Sequence, residues 1–547
     1  MRRFFPTLIF CSAAMAQTAD LEVTNARIYT VDPRHPRASA IAVRQGSIEA
    51  VGDDVSRYIG PSTTVIDAKG ATIIPGFIDS HGHVRDLGEM LEQIDLRGLT
   101  SEAAAVDKVR NAVRQLKPGE WILGQSWDQN LWQSKQFPTA DLLSRAAPDN
   151  PVSLSRVDGH AVWVNRRALA LADINAATPD PPGGRILRDT SGQPTGVLID
   201  NAQSLIARKI PPASPEQIEQ LLLRAMQECA RLGLTTVHDA GVPQGDIDGY
   251  RSLIRKGQLP VRVYAMLAYS AGPKLLDTWL ARGPEIGDYL TVRSIKMVSD
   301  GALGSRGAAM IEPYSDDPGN RGLLILDRAT IRGVAERAVA KGFQVNTHAI
   351  GDLANRTALD AYGDVLKGAN DKRFRIEHAQ IVAPDDFAKF KKYSVLASMQ
   401  ATHATSDMLW AGTRVGPERI RGGYAWQTML RLGVHVPNGS DFPVESPNPL
   451  WGFYAAITRQ KQDGTHGANQ AGGWFPDQRM SRDEALRSWT IEGAYAAFEE
   501  KRKGSIEPGK MADFVMLSGD IMAIPPADIL KTRVTMTVTG GRVVWRE

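Results

Sequence analysis

Eight short apolar runs, most of them ending in polar residues, constrain the fold of this chain more than any other feature. They are 73–79, 234-LTTVHDAG, 261-VRVYAMLAY, 293-RSIKMVSDG, 342-GFQVNTHAIGD, 373-RFRIEHAQ, 394-SVLASMQATH and 433-GVHVPNGSD. Helical spacing of apolar residues recurs around them, in 215-PEQIEQLLLRAMQECARLG, 328-RATIRGVAERAVAKG, 352-DLANRTALDAYGDVL, 384-PDDFAKFKKY and 481-SRDEALRSWTIEGAYAAF. Strand followed by helix, repeated eight times, points to an α/β fold of the (β/α)8 TIM-barrel type.

The two ends of the chain have a different rhythm. Segments 20-DLEVTNARIYTVD and 39-SAIAVRQGSIEAVGD alternate apolar and polar residues, as do 512-ADFVMLSGD and 533-RVTMTVTGGRVVWRE. Short half-buried strands with turns between them fit best, the last pair joined at Gly540-Gly541. The organisation expected is a small β-sandwich built from 17–74 and 504–547, with a barrel over 75–503 inserted between them. About 150 residues separate the first and second barrel runs, more than one crossover helix needs. That stretch, 85–230, reads as a subdomain rich in Trp, Pro and Gly, including 121-WILGQSWDQNLW.

Arg2 and Arg3 precede an apolar run of about ten residues, and Ala14-Met-Ala16 follows it. This is the pattern of a secretory signal peptide over 1–16, too short to span a bilayer, which needs roughly 20 residues. The expected location is secreted or periplasmic, with no membrane anchoring once the leader is cut. Its removal takes away two arginines and no acid, so the formal charge falls from +3 to +1. No basic run of nucleic-acid-binding length occurs elsewhere. Cys229 is the one cysteine of the mature chain, which excludes a disulfide framework and a cysteine-ligated zinc site.

The C-terminal ends of barrel strands carry the chemistry of this architecture. The first strand ends in His81-Gly-His83, and the fourth carries Lys296 with Asp300 beyond it. The fifth gives His348, the sixth His378 and the eighth Asp441. Residues i and i+2 of a strand share a face, so His81 and His83 can both look inward, with the glycine letting the backbone bend close to an ion. Imidazole and carboxylate suit zinc, and also manganese, iron, nickel and cobalt.

In this order, 75-PGFIDSHGH, 156-RVDGHAVWVN, 293-RSIKMVSDGALGSR, 346-NTHAIGD, 376-IEHAQ, 399-MQATH, 438-NGSDFPVESPNP and 504-GSIEPGKMADFV resemble the amidohydrolase superfamily. Within it they resemble the amidohydrolase-3 group, which includes YtcJ-like proteins and N-substituted formamide deformylases. The resemblance implies His81, His83 and Asp441 as ligands of one metal ion and His348 and His378 as ligands of a second. The two ions would be zinc by preference, bridged by Lys296 as a carbamate formed with CO2. It also implies Asp441 as the catalytic residue, taking the proton of a metal-activated water and handing it to the leaving amine. His160, Trp127, Gln400 and His403 are candidate substrate contacts. His238 is expected to be structural or to support a ligand, Asp352 to orient one, His435 to lie at the wrong end for catalysis, and His35 and His466 to sit in exposed loops.

The function expected is hydrolysis of a non-peptide C–N bond, in an amide, N-acyl or N-formyl compound. The partner is a small-molecule substrate, which the Trp-rich insertion suggests is aromatic or apolar; a homodimer stays open. A mononuclear deaminase or C–O hydrolase of the same fold is the alternative. A catalytically idle binding protein is a third, and the six intact ligand positions argue against it. Cleavage of the leader has a direct outcome: N-terminal sequencing of the exported protein begins at Gln17, whereas a retained Met1 refutes the leader.

Overall fold

The computed structural model describes residues 18–156, 159–465 and 472–547. The expected leader, 1–16, and His466 lie outside them. The chain forms two compact units, one comprising residues up to Val84 with Met226–Glu547 and the other Arg85–Ala225. No described helix is long and apolar enough to cross a membrane.

The larger unit is built on a parallel sheet of seven consecutive strands. They are β1 (Phe77–Gly82), β2 (Leu234–Val242), β3 (Arg262–Ala268), β4 (Leu290–Val298), β5 (Gln344–Ala349), β6 (Arg375–His378) and β7 (Leu396–Ser398). Their residues are buried almost throughout, as expected of strands covered on both faces. The eighth run differs from expectation in one respect. Residues 435–442 form no regular strand, yet they fill the eighth place. Ala397 N–H donates to His435 O (3.1 Å) and Met399 N–H to Pro437 O (3.1 Å) on one side. On the other, Ser80 N–H donates to Asn438 O (3.0 Å) and His83 N–H to Phe442 O (2.8 Å). Pro437 has no N–H to give a ladder, so the closure is made of isolated bridges.

Both chain ends contribute to the sheets beside the barrel. A four-stranded sheet contains Leu21–Thr24, Ala40–Arg44, Ser47–Gly52 and Thr64–Asp67. In a six-stranded sheet, Thr72–Pro75 pairs antiparallel with Phe514–Leu517, which pairs with Val534–Thr539. Val23, Ile41 and Val43 of the first sheet share one core with Ile28, Ile73, Phe514 and Met536 of the second. The backbone leaves this sandwich at Pro75 and enters β1 two residues later.

The smaller unit has its own six-stranded mixed sheet, including Ile122–Trp127, Val152–Arg156 and Ala161–Val164. Its core gathers Trp127, Trp132 and Trp163, with ring centroids 6.0–6.3 Å apart.

One buried ion pair ties the sandwich to the barrel. Arg262, the first residue of β3, donates from Nε to Asp513 Oδ2 (2.8 Å) and from Nη2 to Asp513 Oδ1 (3.0 Å). Both side chains are 4% exposed. Removing one partner strands a buried charge, at a cost of about 3–5 kcal/mol. Arg262→Ala is therefore expected to lower the denaturant midpoint markedly, whereas Arg262→Met with Asp513→Leu loses much less. Equal losses in the two variants would show that the charge itself is not what matters.

Candidate metal centre

The barrel mouth brings together the six residues read as ligands: His81 from β1 and His83 just beyond it, Lys296 from β4, His348 from β5, His378 from β6 and Asp441 from the closing segment. His81 is fully buried, and His83 keeps 30% of its side chain exposed. Both approach one carboxylate: His81 Nε2 is 3.5 Å and His83 Nε2 3.1 Å from Asp441 Oδ1. The glycine between them also serves the packing. A Cβ on Gly82 would lie 2.4 Å from the Phe442 ring, so the glycine admits the closing segment beside β1.

His378 stands with its ring centroid 4.9 Å from that of His81 and 4.6 Å from that of His348. The donor atoms of His81, His378 and Asp441 all lie within 4.8 Å of one another. Lys296 Nζ donates to His81 Nε2 at 3.0 Å. His348 Nε2 lies 3.4 Å from Asp300 Oδ1 without hydrogen-bond geometry, and is buried with no hydrogen-bond partner among the described residues. His403 opens the helix Ala401–Asp407 after β7. Its ring stacks on His378 at 5.8 Å, and its Nε2 lies 3.6 Å from Asp441 Oδ2.

The protonation states suit cation binding. Burial and the Lys296 charge pull the His81 pKa down to about 4, against the opposing pull of Glu377 and Asp441. Burial likewise holds His378 well below the ordinary histidine value. Burial pushes the Asp441 carboxyl up, but the His83 hydrogen bond and the neighbouring imidazoles prevail and hold it well below the usual range. Neutral imidazoles around an ionised carboxylate are the donor set that zinc and its neighbours take. The orphaned His348 Nε2 adds a donor, so the residues fit a divalent cation.

The remaining expectations are placed as follows. Gln400 is buried, and its Oε1 accepts from His378 Nδ1 (2.7 Å), which turns that ring's other nitrogen toward the cluster. Trp127 is 1% exposed in the core of the smaller unit, its indole N–H donating to Leu154 O (2.7 Å). His160, also in that unit, is exposed and pairs with Asp200 (2.8 Å). His238 is fully buried, its Nδ1 3.1 Å from Arg375 Nη1. Asp352 spends one oxygen on Ile311 N–H (2.7 Å). The carboxylate that abuts His348 is Asp300, which also accepts from the Ile350, Gly351 and Ala309 amides. His435 pairs with Glu492 (2.6 Å), and His35 is an exposed loop residue.

Sequence reasoning assigned no part to Glu377. It is fully buried, and its Oε2 accepts from His81 Nδ1 at 2.6 Å. Burial raises its pKa, but His81 and Arg375 outweigh that and bring it to about 2. An ionised Glu377 keeps the His81 proton on Nδ1, leaving Nε2 as a lone-pair donor. Its neighbour in sequence, His378, has φ 73°. That left-handed turn is what lets two adjacent residues both reach the centre. Glu377→Gln is expected to weaken zinc affinity by roughly 10–100-fold in a chelator competition on the folded protein, and also to lower the unfolding midpoint, because it leaves the buried Arg375 without its charge partner. Unaltered zinc affinity would show that Glu377 does not position His81.

A model described as the amidohydrolase family matches residues 64–545. The chain is 33% identical over 528 residues to the putative amidohydrolase YtcJ of Bacillus subtilis, covering 95% of this chain and 98% of that one. It is 28% identical over 549 residues to N-substituted formamide deformylase of Arthrobacter pascens, covering 96% and 98%. An uncharacterized metal-dependent hydrolase from Pyrococcus furiosus, known from its crystal structure, matches with a TM-score of 0.77 and 29% identity, covering 92% of this chain and all of that one. The barrel, the convergent histidines at its mouth and these similarities together place the chain in the amidohydrolase family, as a metal-dependent hydrolase.

Proposed function

We propose that the protein hydrolyses a non-peptide C–N bond, in an amide, N-acyl or N-formyl compound, at a centre held by His81, His83, Lys296, His348, His378 and Asp441. The observation that carries this reading is the meeting of His81, His378 and Asp441, with mutually close donor atoms, at the mouth of the barrel. When bound, a divalent cation supplies hydroxide near neutral pH and polarises a carbonyl oxygen. Asp441, held ionised by its imidazole neighbours, accepts the water proton and returns it to the departing nitrogen, so that amide and water give acid and amine. The 3.6 Å from His403 Nε2 to Asp441 Oδ2 supports His403 as a substrate contact.

Lys296 fits the same reading. Burial lowers its pKa and favours the neutral amine, the form that adds CO2. The resulting carbamate would offer two anionic oxygens where a protonated lysine would repel cations. Two zinc ions are the occupants we favour. Similarity to an N-substituted formamide deformylase supports N-formyl compounds as the first substrates to test. The leader over 1–16 makes this an exported enzyme.

A second reading, a single-metal deaminase or C–O hydrolase, is favoured by one observation. The close group of donors contains three residues and omits His83 and His348. Elemental analysis separates the two readings: two equivalents of metal per chain support the first, one the second. A screen of N-formyl, N-acyl and cyclic amides is expected to reveal metal-dependent turnover that a chelator abolishes. In Asp441→Asn, turnover falls by about 10²–10⁴-fold while most of the metal is retained. Wild-type turnover in that variant would sink the mechanism.

A further inference from the structure

A feature that the chemistry above does not use lies at the opposite end of the barrel. A cleft of about 590 Å³ opens where the N-terminal ends of β3 and β4 meet the turns of the sandwich. Its size is within the range of small-molecule sites, roughly 300–1,000 Å³. Arg262, Lys501, Arg502 and Arg542 line it against a single acid, Asp288.

These four cations are not equivalent. Arg262 is neutralised by Asp513, and Arg502 pairs with Asp288. Lys501 and Arg542 make no ion pair among the described residues, Asp288 being taken by Arg502. Arg542 donates from Nη2 to Tyr289 Oη (3.0 Å) and from Nη1 to Gly257 O (3.4 Å). A guanidinium carries five N–H donors, so Arg542 keeps donors unspent. Tyr289 lies between two guanidinium groups, with Arg262 4.7 Å and Arg542 5.6 Å from its ring centroid.

The wall between them is a glycine turn. Gly540 has φ 57°, and a Cβ there would come within 3.1 Å of Arg262 Nη2 and 3.2 Å of Tyr289 Oη. The absent side chain lets the turn lie close against the polar heads of Arg262 and Tyr289. A chain with a formal charge of only +3 over 547 residues has gathered two uncompensated cations, a phenol and a bare backbone turn into one concavity. Cations with unspent donors, one of them a planar fork, match the oxygens of carboxylate or phosphate.

We propose that this cleft binds a small organic dianion, a phosphate monoester or a dicarboxylate, with Lys501 and Arg542 as its charged contacts. The site is separate from the candidate metal centre, and its occupancy does not depend on which bond the enzyme cleaves. Binding bridges the barrel and the sandwich, so the dianion stabilises the folded chain.

The test is thermal unfolding of the full-length protein titrated with inorganic phosphate and, separately, with succinate, at ionic strength held constant with sodium chloride. At least one of the two is expected to raise the midpoint saturably, and which one does so identifies phosphate or dicarboxylate. Lys501→Ala with Arg542→Ala is expected to weaken the apparent affinity by about tenfold for each cation removed, with turnover in the absence of the anion unchanged. Lys501→Gln alone should show one such step. No saturable rise with either anion overturns the proposal. So does an equal rise in the double variant, which would put the anion elsewhere, at the metal centre above all.

Discussion

The closure of the barrel between β1 and residues 435–442 is the contact on which the candidate centre depends. Asp441 N–H donates to His81 O at 2.7 Å, so the last candidate ligand is registered against the first by the backbone itself. Asp79 locks that register. Its carboxylate accepts from His81 N–H (3.0 Å), Ser440 N–H (3.1 Å) and Ser440 Oγ–H (2.6 Å). Gly439 lets the two segments come this close, because a Cβ there would stand 2.6 Å from His81 N. Two stretches about 360 residues apart in sequence are thus held within hydrogen-bond distance by one buried carboxylate and one missing side chain. A parallel barrel of seven strands without this latch would carry four histidines and a lysine but not Asp441, the carboxylate that His81 and His83 both approach.

The alternation of apolar runs and amphipathic helices made most of the barrel legible, because strands buried on both faces cannot disguise their composition. Positions in those runs were legible for the same reason: His81, His348 and His378 stand at or near the ends of apolar stretches, and Lys296 interrupts one. The closing segment was recognisable as the eighth element but not as an irregular one, since Pro437 acts through a hydrogen bond it cannot make. Glu377 was hidden by a rule that ordinarily works. Neighbours along a strand point to opposite faces, so a reading that places His378 at the mouth sends Glu377 away from it. The positive φ at His378 and Ala379 breaks that alternation, and residue spacing carries no trace of it. Asp441 has φ 59°, so its side chain too is aimed by a local turn of the backbone. Asp300, Trp127 and Gln400 teach a related lesson. A polar or aromatic residue near a strand end can be engaged by internal hydrogen bonds, one for the Trp127 indole and three amides for Asp300, and composition does not say which.

Neutral histidines in a buried centre require that every nearby charge be accounted for. Lys296 pushes His81 toward neutrality, and Glu377 pulls the other way while accepting its Nδ1 proton. Were Glu377 protonated, it would have a proton to donate and no longer a strong acceptor, and His81 could shift its own proton to Nε2, the nitrogen that faces Asp441. His81 and, with it, Arg375 oppose this. Arg375 is fully buried, 3.9 Å from Glu377, and is itself held by Ala496 O (2.7 Å) and His238 Nδ1 (3.1 Å). Burial lowers its pKa, and the Glu377 charge opposes that shift. Each of these groups is costly to bury alone, and each is tolerable because the next is charged or aligned to meet it. The interior of the barrel therefore does more than fill space beneath the mouth. Arg375 helps to hold Glu377 ionised, Glu377 fixes the His81 tautomer, and the lone pair left on His81 Nε2 is what a cation at the mouth would meet.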